Sequence, residues 1–140
     1  MPNWFIKKAL EIARETGGSV SLEMHAEIAS KDADIFYTDV WVSMGEPKDV
    51  WKERIALLEE YRITDELMSF GNDNAIFMHC LPAFHDLETE VGKDIYEEFG
   101  VDEMEVSDSV FQSKQSVVFD QAENRLHTIK AVMVATIGTI

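Results

Sequence analysis

Two apolar runs decide what this chain can become. Residues 33–42, ADIFYTDVWV, and 75–81, AIFMHCL, are almost unbroken in apolar, β-branched or aromatic side chains. Runs of this kind read as strands buried on both faces, the mark of a parallel sheet covered by helices. Helical patterns lie around them. Phe5, Ala9, Ile12 and Ala13 share one face of a helix predicted over 4–15, which Gly17 and Gly18 close. Val20, Leu22 and Met24 alternate and predict a short strand over 19–24; a short helix over 26–31 follows. Pro47 suits the first turn of a helix reaching about residue 61, with Trp51, Ile55 and Leu58 inward. Thr64 reads as the cap of a helical stretch over 65–70.

Residues 91–99 predict an acidic helix closed by Gly100, and 104–107 a weak final strand. Asp120 and Glu123 then read as a capping box opening a long helix. Its apolar stripe is Val118, Ala122, Leu126, Ile129, Met133 and Ile137. Val132, Val134 and Ala135 fall outside that stripe, so either a further layer covers the helix or its partner lies outside these 140 residues. The alternation of elements predicts one α/β domain, a mostly parallel sheet with helices on both faces. A chain of 140 residues is the size of one such core.

Charge narrows the partners. Asp and Glu number 27 against 12 Lys and Arg, a formal charge of −15. Such a surface repels phosphate backbones and anionic lipid, so neither nucleic acid nor a membrane is expected as a partner. No apolar run approaches the roughly 18 to 20 residues that span a bilayer. No signal-peptide pattern opens the chain. Its one cysteine, Cys80, excludes an internal disulfide. A cytoplasmic, reducing setting is the expectation.

In an open parallel sheet ligands bind beyond the carboxyl ends of the strands. The residues to weigh there are Asp39, Ser43, Met44 and Gly45 after the first run, and His79, Cys80, Leu81 and Pro82 at the end of the second. A third place is the start of the last helix, where Gln121, Asn124 and Arg125 could surround an anion. Asp39, inside an apolar run, either holds a cationic substrate or caps a neighbouring loop. Cys80 is open to three readings: core residue, nucleophile or metal ligand. The histidines show no ligand spacing, so no metal and no cofactor is expected. A His79–Cys80 dyad is disfavoured, because adjacent strand residues point to opposite faces. His79 reads as a partly buried, satisfied histidine, and His25, His85 and His127 as surface or capping residues. Arg125 either contacts an anion or pairs with Glu123 or Asp120. The acidic stretch 97–105 reads as a solvated face.

Three blocks together resemble ornithine carbamoyltransferases: Asp39-Val40-Trp41-Val42-Ser43-Met44-Gly45, His79-Cys80-Leu81-Pro82, and residues 118–132, VFDQAENRLHTIKAV. The resemblance runs from near Trp4 to the C-terminus. It implies transfer of a carbamoyl group from carbamoyl phosphate to the side-chain amine of L-ornithine, giving citrulline and phosphate. By motif, Asp39, Ser43 and Met44 would hold ornithine, Cys80 and Leu81 would sit at the carbamoyl group and reacting amine, and Arg125 would contact carbamoyl phosphate. Cys80 and Arg125 would be the catalytic pair. A cis Leu81–Pro82 bond is also implied. Aspartate carbamoyltransferases lack the cysteine of this motif, and putrescine carbamoyltransferases lack the Ser-Met-Gly loop, so ornithine is favoured. The region 94–106 leans towards the catabolic type.

The family's S-x-R-T phosphate loop and H-P-x-Q segment do not occur in this sequence. The resemblance therefore implies a partial ornithine-binding domain over 1–140, without the carbamoyl-phosphate-binding domain, inactive by itself. A homotrimer or larger assembly is implied for a full-length parent. Two other readings stay open: a carbamoyltransferase with another amine acceptor, and a stand-alone, non-catalytic amino-acid-binding α/β module.

Overall fold

The computed structural model describes residues 2–43 and 45–138, apart from the Lys48 side chain. In chain order the elements are helices α1 (Asn3–Thr16) and α2 (Ala26–Ser30), strand β1 (Ile35–Thr38), helix α3 (Lys48–Leu58) with a 3-10 turn (Glu59–Tyr61), α4 (Asp65–Met68), strand β2 (Ile76–His79), and helices α5 (Glu90–Phe99), α6 (Asp108–Phe111) and α7 (Val118–Ile137). The class is α/β, as expected. The sheet is smaller than expected: among the described residues it holds two parallel strands, paired Ile35 with Ile76, Phe36 with Phe77, Tyr37 with Met78 and Thr38 with His79. Parallel neighbours need a crossover, and α3 and α4 supply it.

The runs are buried on one face, not on both. Phe36, Phe77 and His79 are buried, whereas Ile35 and Tyr37 are 55% and 58% exposed. Phe36 and Phe77 pack with Leu67 and Met68 of α4, Val110 and Phe111 of α6, Val106 and Val118 in one core cluster. A second cluster gathers Trp41, Val42, Ile55, Phe84, Ile95 and Met104, joining α3 and α5 beyond the strand ends. β1 therefore stops well short of residue 42, because Trp41 and Val42 leave the sheet to fill this second core.

Local signals are realised. Gly17 (φ 78°) and Gly100 (φ 73°) end α1 and α5 in the left-handed region, where glycine is free of the Cβ penalty. The Thr64 hydroxyl accepts Leu67 N–H at 3.2 Å and opens α4. Ser107 does the same for α6, a helix that the sequence pattern does not predict.

Non-local signals are corrected. Residues 19–24 form no strand, and Val20, Leu22 and Met24 are exposed. The Glu23 carboxylate takes Met24 and His25 N–H at 2.8 and 3.0 Å, donors that a strand would give to a neighbour. The strand expected at 104–107 is a single bridge, Ile63 to Val106. Its partner, Ile63, sits between the 3-10 turn and the Thr64 cap, so only one residue can pair. α7 begins at Val118 with no side-chain cap, and Asp120 lies inside its first turn. The capping box is not formed because the preceding segment is still bridged to Phe77 at Ser116. Among the described residues no layer covers the far part of α7, where Leu126, Ile129, Val132, Met133, Val134 and Ile137 are exposed.

Phe77, fully buried at the centre of the first cluster, sets the test of this packing. Phe77→Ala is expected to lower stability by about 3–5 kcal/mol, read as a fall in the urea midpoint of the 140-residue chain.

Candidate active site

The parallel register carries Asp39 and Cys80, each one residue beyond its strand, to the same end of the sheet. The Cys80 thiol donates to Asp39 Oδ1 at 3.1 Å. The same oxygen accepts Val40 N–H at 2.8 Å. Asp39 therefore caps its own loop and also meets the thiol, while Oδ2 makes no hydrogen bond among the described residues. The Cys80 hydrogen bond first, and then the Val40 N–H, hold the Asp39 carboxyl below the usual carboxylate range. Partial desolvation, followed by the hydrogen bond to Asp39 and its charge, pushes the Cys80 thiol up. At neutral pH the pair is thus a carboxylate and a protonated thiol. That is a poor nucleophile and a good hydrogen-bond donor.

Alternation puts the neighbouring His79 on the opposite face, as the sequence requires. His79 and Glu105 are fully buried, with His79 Nε2 3.2 Å from Glu105 Oε1. His79 Nδ1 bonds the Cys80 carbonyl. Glu105 Oε1 also accepts Phe84 N–H at 2.9 Å. This imidazole and carboxylate brace the Cys80–Phe84 turn from beneath, and the Leu81–Pro82 bond within it is cis, as expected. The reading of 97–105 as a solvated face fails at Glu105. Its one signal in the sequence is a carboxylate flanked by Met104 and Val106.

A cavity of about 240 Å³ opens at this end, lined by Tyr37, His79, Cys80, Leu81, Gln121 and Arg125 among others. Arg125 is exposed and makes no ion pair among the described residues, so the expected pairing with Glu123 or Asp120 is absent. A larger hollow of about 480 Å³ lies along the start of α7 and is lined by Asp120, Glu123, Asn124 and His127 among others. Its acidic lining is wrong for an anion and it lacks the thiol, so the smaller cavity is the candidate site. Asn124 and Arg125 thus face different hollows, and Gln121 is bound to Tyr37 and His79; the expected anion trio does not converge. Ser43 N–H donates to Glu46 Oε2 at 2.7 Å in the loop after β1, and Ser43 does not line the cavity. The expectation for Met44 lies outside the described residues.

His85 is half-buried, not a surface residue. It stacks on Phe111 at 3.6 Å between ring centroids and bonds Asp108 at 2.8 Å. With Asp86 these groups offer donor atoms within 4.8 Å of one another. The contacts describe a clasp between the segment after Pro82 and α6.

The family model "Aspartate/ornithine carbamoyltransferase, Asp/Orn binding domain" matches residues 2–136. The chain is 62% identical over 136 residues to an "Ornithine carbamoyltransferase 1, catabolic" of Streptococcus agalactiae, covering 95% of this chain and 40% of that protein. It is 57% identical over 134 residues to an ornithine carbamoyltransferase of Pediococcus pentosaceus, again over 95% of this chain and 40% of the relative. It superposes on the ornithine carbamoyltransferase of Pyrococcus furiosus with a TM-score of 0.79 and 38% identity, covering 99% of this chain and 39% of that one. The chain belongs to the aspartate/ornithine carbamoyltransferase family. Within it, the match is to the Asp/Orn-binding domain of the ornithine carbamoyltransferases. It spans about 40% of the length of the curated relatives it matches.

The thiol tests this geometry. Cys80 alkylation by iodoacetamide is expected to be slow at pH 7, with its alkaline inflection above the ordinary thiol value of about 8.5. Asp39→Asn removes the charge that holds the proton on sulfur. The inflection then moves down, and the rate at pH 8 rises by about two- to fourfold.

Proposed function

We propose that this chain supplies the ornithine side of an ornithine carbamoyltransferase site. The observation that carries this reading is the Asp39–Cys80 contact at the carboxyl ends of two parallel strands, in a chain of this family. Asp39 anchors the α-ammonium of L-ornithine, with Oδ2 open to it, and Ser43 and Met44 help hold the amino acid. The side-chain amine, with a lysine-like pKa of about 10.4, has to lose a proton before it can attack. The Leu81 carbonyl accepts a hydrogen bond from the amine and the Cys80 thiol orients it; the first proton passes to solvent, and the second, released as the carbon–nitrogen bond forms, goes to the departing phosphate. Its lone pair attacks the carbamoyl carbon, the carbon–oxygen bond to phosphate breaks, and phosphate leaves with the electron pair. Arg125 contacts carbamoyl phosphate and stabilises the charge that builds on oxygen. No covalent intermediate on Cys80 is required, which agrees with a thiol kept protonated.

In this reading the two strands belong to a larger, mostly parallel, Rossmann-like sheet with helices on both faces. The carbamoyl-phosphate-binding domain is not part of these 140 residues. The bare faces of α7 and of Ile35 and Tyr37 are then covered in the assembled enzyme, a cytoplasmic homotrimer or larger. Catabolic use of the reaction is supported by the relative from S. agalactiae.

Two measurements on the 140-residue chain test the proposal. Isothermal titration is expected to detect L-ornithine binding, weakened roughly tenfold by Asp39→Asn, since a charge-assisted contact contributes about 1.5–3 kcal/mol before solvent screening; binding equally tight with and without carbamoyl phosphate would favour a stand-alone amino-acid-binding module. Affinity unchanged in Asp39→Asn, or putrescine bound in preference to ornithine, overturns the assignment. Incubation with ornithine and carbamoyl phosphate is expected to yield no citrulline above the buffer control; citrulline would refute the inactivity of the chain by itself.

A further inference from the structure

On the edge away from β1, β2 pairs with the segment that leads into α7. Phe77 N–H donates to the Gln115 carbonyl at 2.8 Å, and Val117 N–H donates to the Phe77 carbonyl at 3.0 Å. A parallel ladder would continue with His79 N–H donating to the Val117 carbonyl. That carbonyl is already taken, because it accepts Gln121 N–H at 2.9 Å as the chain turns into α7. A strand-end N–H without an acceptor is costly. The Gln121 side chain resolves the conflict: its Oε1 accepts His79 N–H at 3.1 Å. Its Nε2 donates to the Tyr37 hydroxyl at 2.8 Å. One amide thus joins β1, β2 and α7.

We propose that Gln121 is a positioning residue: it replaces the missing ladder partner of His79 and thereby holds the next residue, Cys80, against Asp39. Gln121 and Arg125 are one helical turn apart and share a face of α7. The same clamp therefore sets how far Arg125 stands from Cys80 across the cavity that all three line. The meaning of that spacing rests on the ornithine-side reading; the clamp itself does not. A lone Gln on a surface turn would make neither contact. Here both ends of the amide are used, one by each strand, and Tyr37 orients the oxygen towards His79.

Cys80 is the chain's single cysteine, so its alkylation by iodoacetamide reports this site without any substrate. The test is the full pH–rate profile of the 140-residue chain. Gln121→Leu is expected to move the alkaline inflection down, as the thiol leaves its place beside the carboxylate. The rate at pH 8 then rises about two- to fourfold, since lower nucleophilicity offsets part of the gain in thiolate. Gln121→Glu keeps one oxygen for His79 N–H and another to accept from Tyr37. It is expected to show no downward shift, because its added charge moves the inflection only upward. Tyr37→Phe removes one exposed hydroxyl and is expected to shift the profile in the direction of Gln121→Leu by a smaller amount. That variant carries the test where Gln121→Leu fails to fold. In an Asp39→Asn background Gln121→Leu is expected to add less than a twofold change, because both act through one contact.

A folded Gln121→Leu whose profile superimposes on the wild type overturns the proposal. So does a downward shift in Gln121→Glu as large as in Gln121→Leu, or an unmoved Tyr37→Phe. Ornithine titration of the same proteins separates the two readings: loss of ornithine binding by the wild type, with the alkylation shifts intact, overturns the ornithine-side assignment and leaves the clamp standing.

Discussion

The parallel pairing of β1 with β2 is the contact on which the rest of this molecule depends. Thr38 stands opposite His79 at the ends of the two strands, so the next residues, Asp39 and Cys80, emerge side by side although 41 positions separate them. An antiparallel pairing of the same two runs would send them to opposite ends of the sheet. The carboxylate and thiol therefore owe their meeting to chain direction, which in turn needs the α3–α4 crossover. α3 and α4 contribute Ile55 and Leu67 to the two cores, so the packing that stabilises the crossover also fixes the site.

The His79-Cys80 pair shows how pleating divides labour. His79 points inward and closes a buried contact with Glu105; Cys80 points outward and meets Asp39. The buried pair is costly in isolation, since polar groups lose water there. Its Glu105 oxygen is also tied to Phe84 N–H, so that part of the cost supports the cis turn carrying Leu81 to the cavity. α7 approaches from the other side, with Gln121 on the strand ends and Arg125 one turn further on. Site residues thus come from two strand ends and one helix, braced from beneath by the contact of His79 with Glu105.

Short-range features were legible in the sequence because their causes are short-range. Thr64, Gly17 and Gly100 act on backbone within a few residues, and each ends or opens a helix where its chemistry demands. Strand readings failed where a partner was needed. Val20, Leu22 and Met24 alternate as strand residues do, yet the described chain has no strand beside them and Glu23 satisfies the local N–H groups. Val106 finds one bridge and no ladder. Glu105 hid among acidic neighbours because burial is not written in a charge pattern. The capping-box reading of Asp120 failed for a related reason: the bridge at Ser116 dictates where α7 can begin.

By itself the sequence determined the class of fold, the two strands, the helix ends at Gly17, Thr64 and Gly100, and the residue types available at the strand termini. Its three motif blocks also specified the family. Only the tertiary structure decided that Asp39 and Cys80 share a hydrogen bond, that His79 is paired with Glu105 in the dark of the core, and that Arg125 and Asn124 open into different hollows. The physical reason is range. Capping and periodicity are settled by neighbours along the chain, whereas strand pairing, burial and the direction of a helix face depend on groups that only folding brings within a few ångströms.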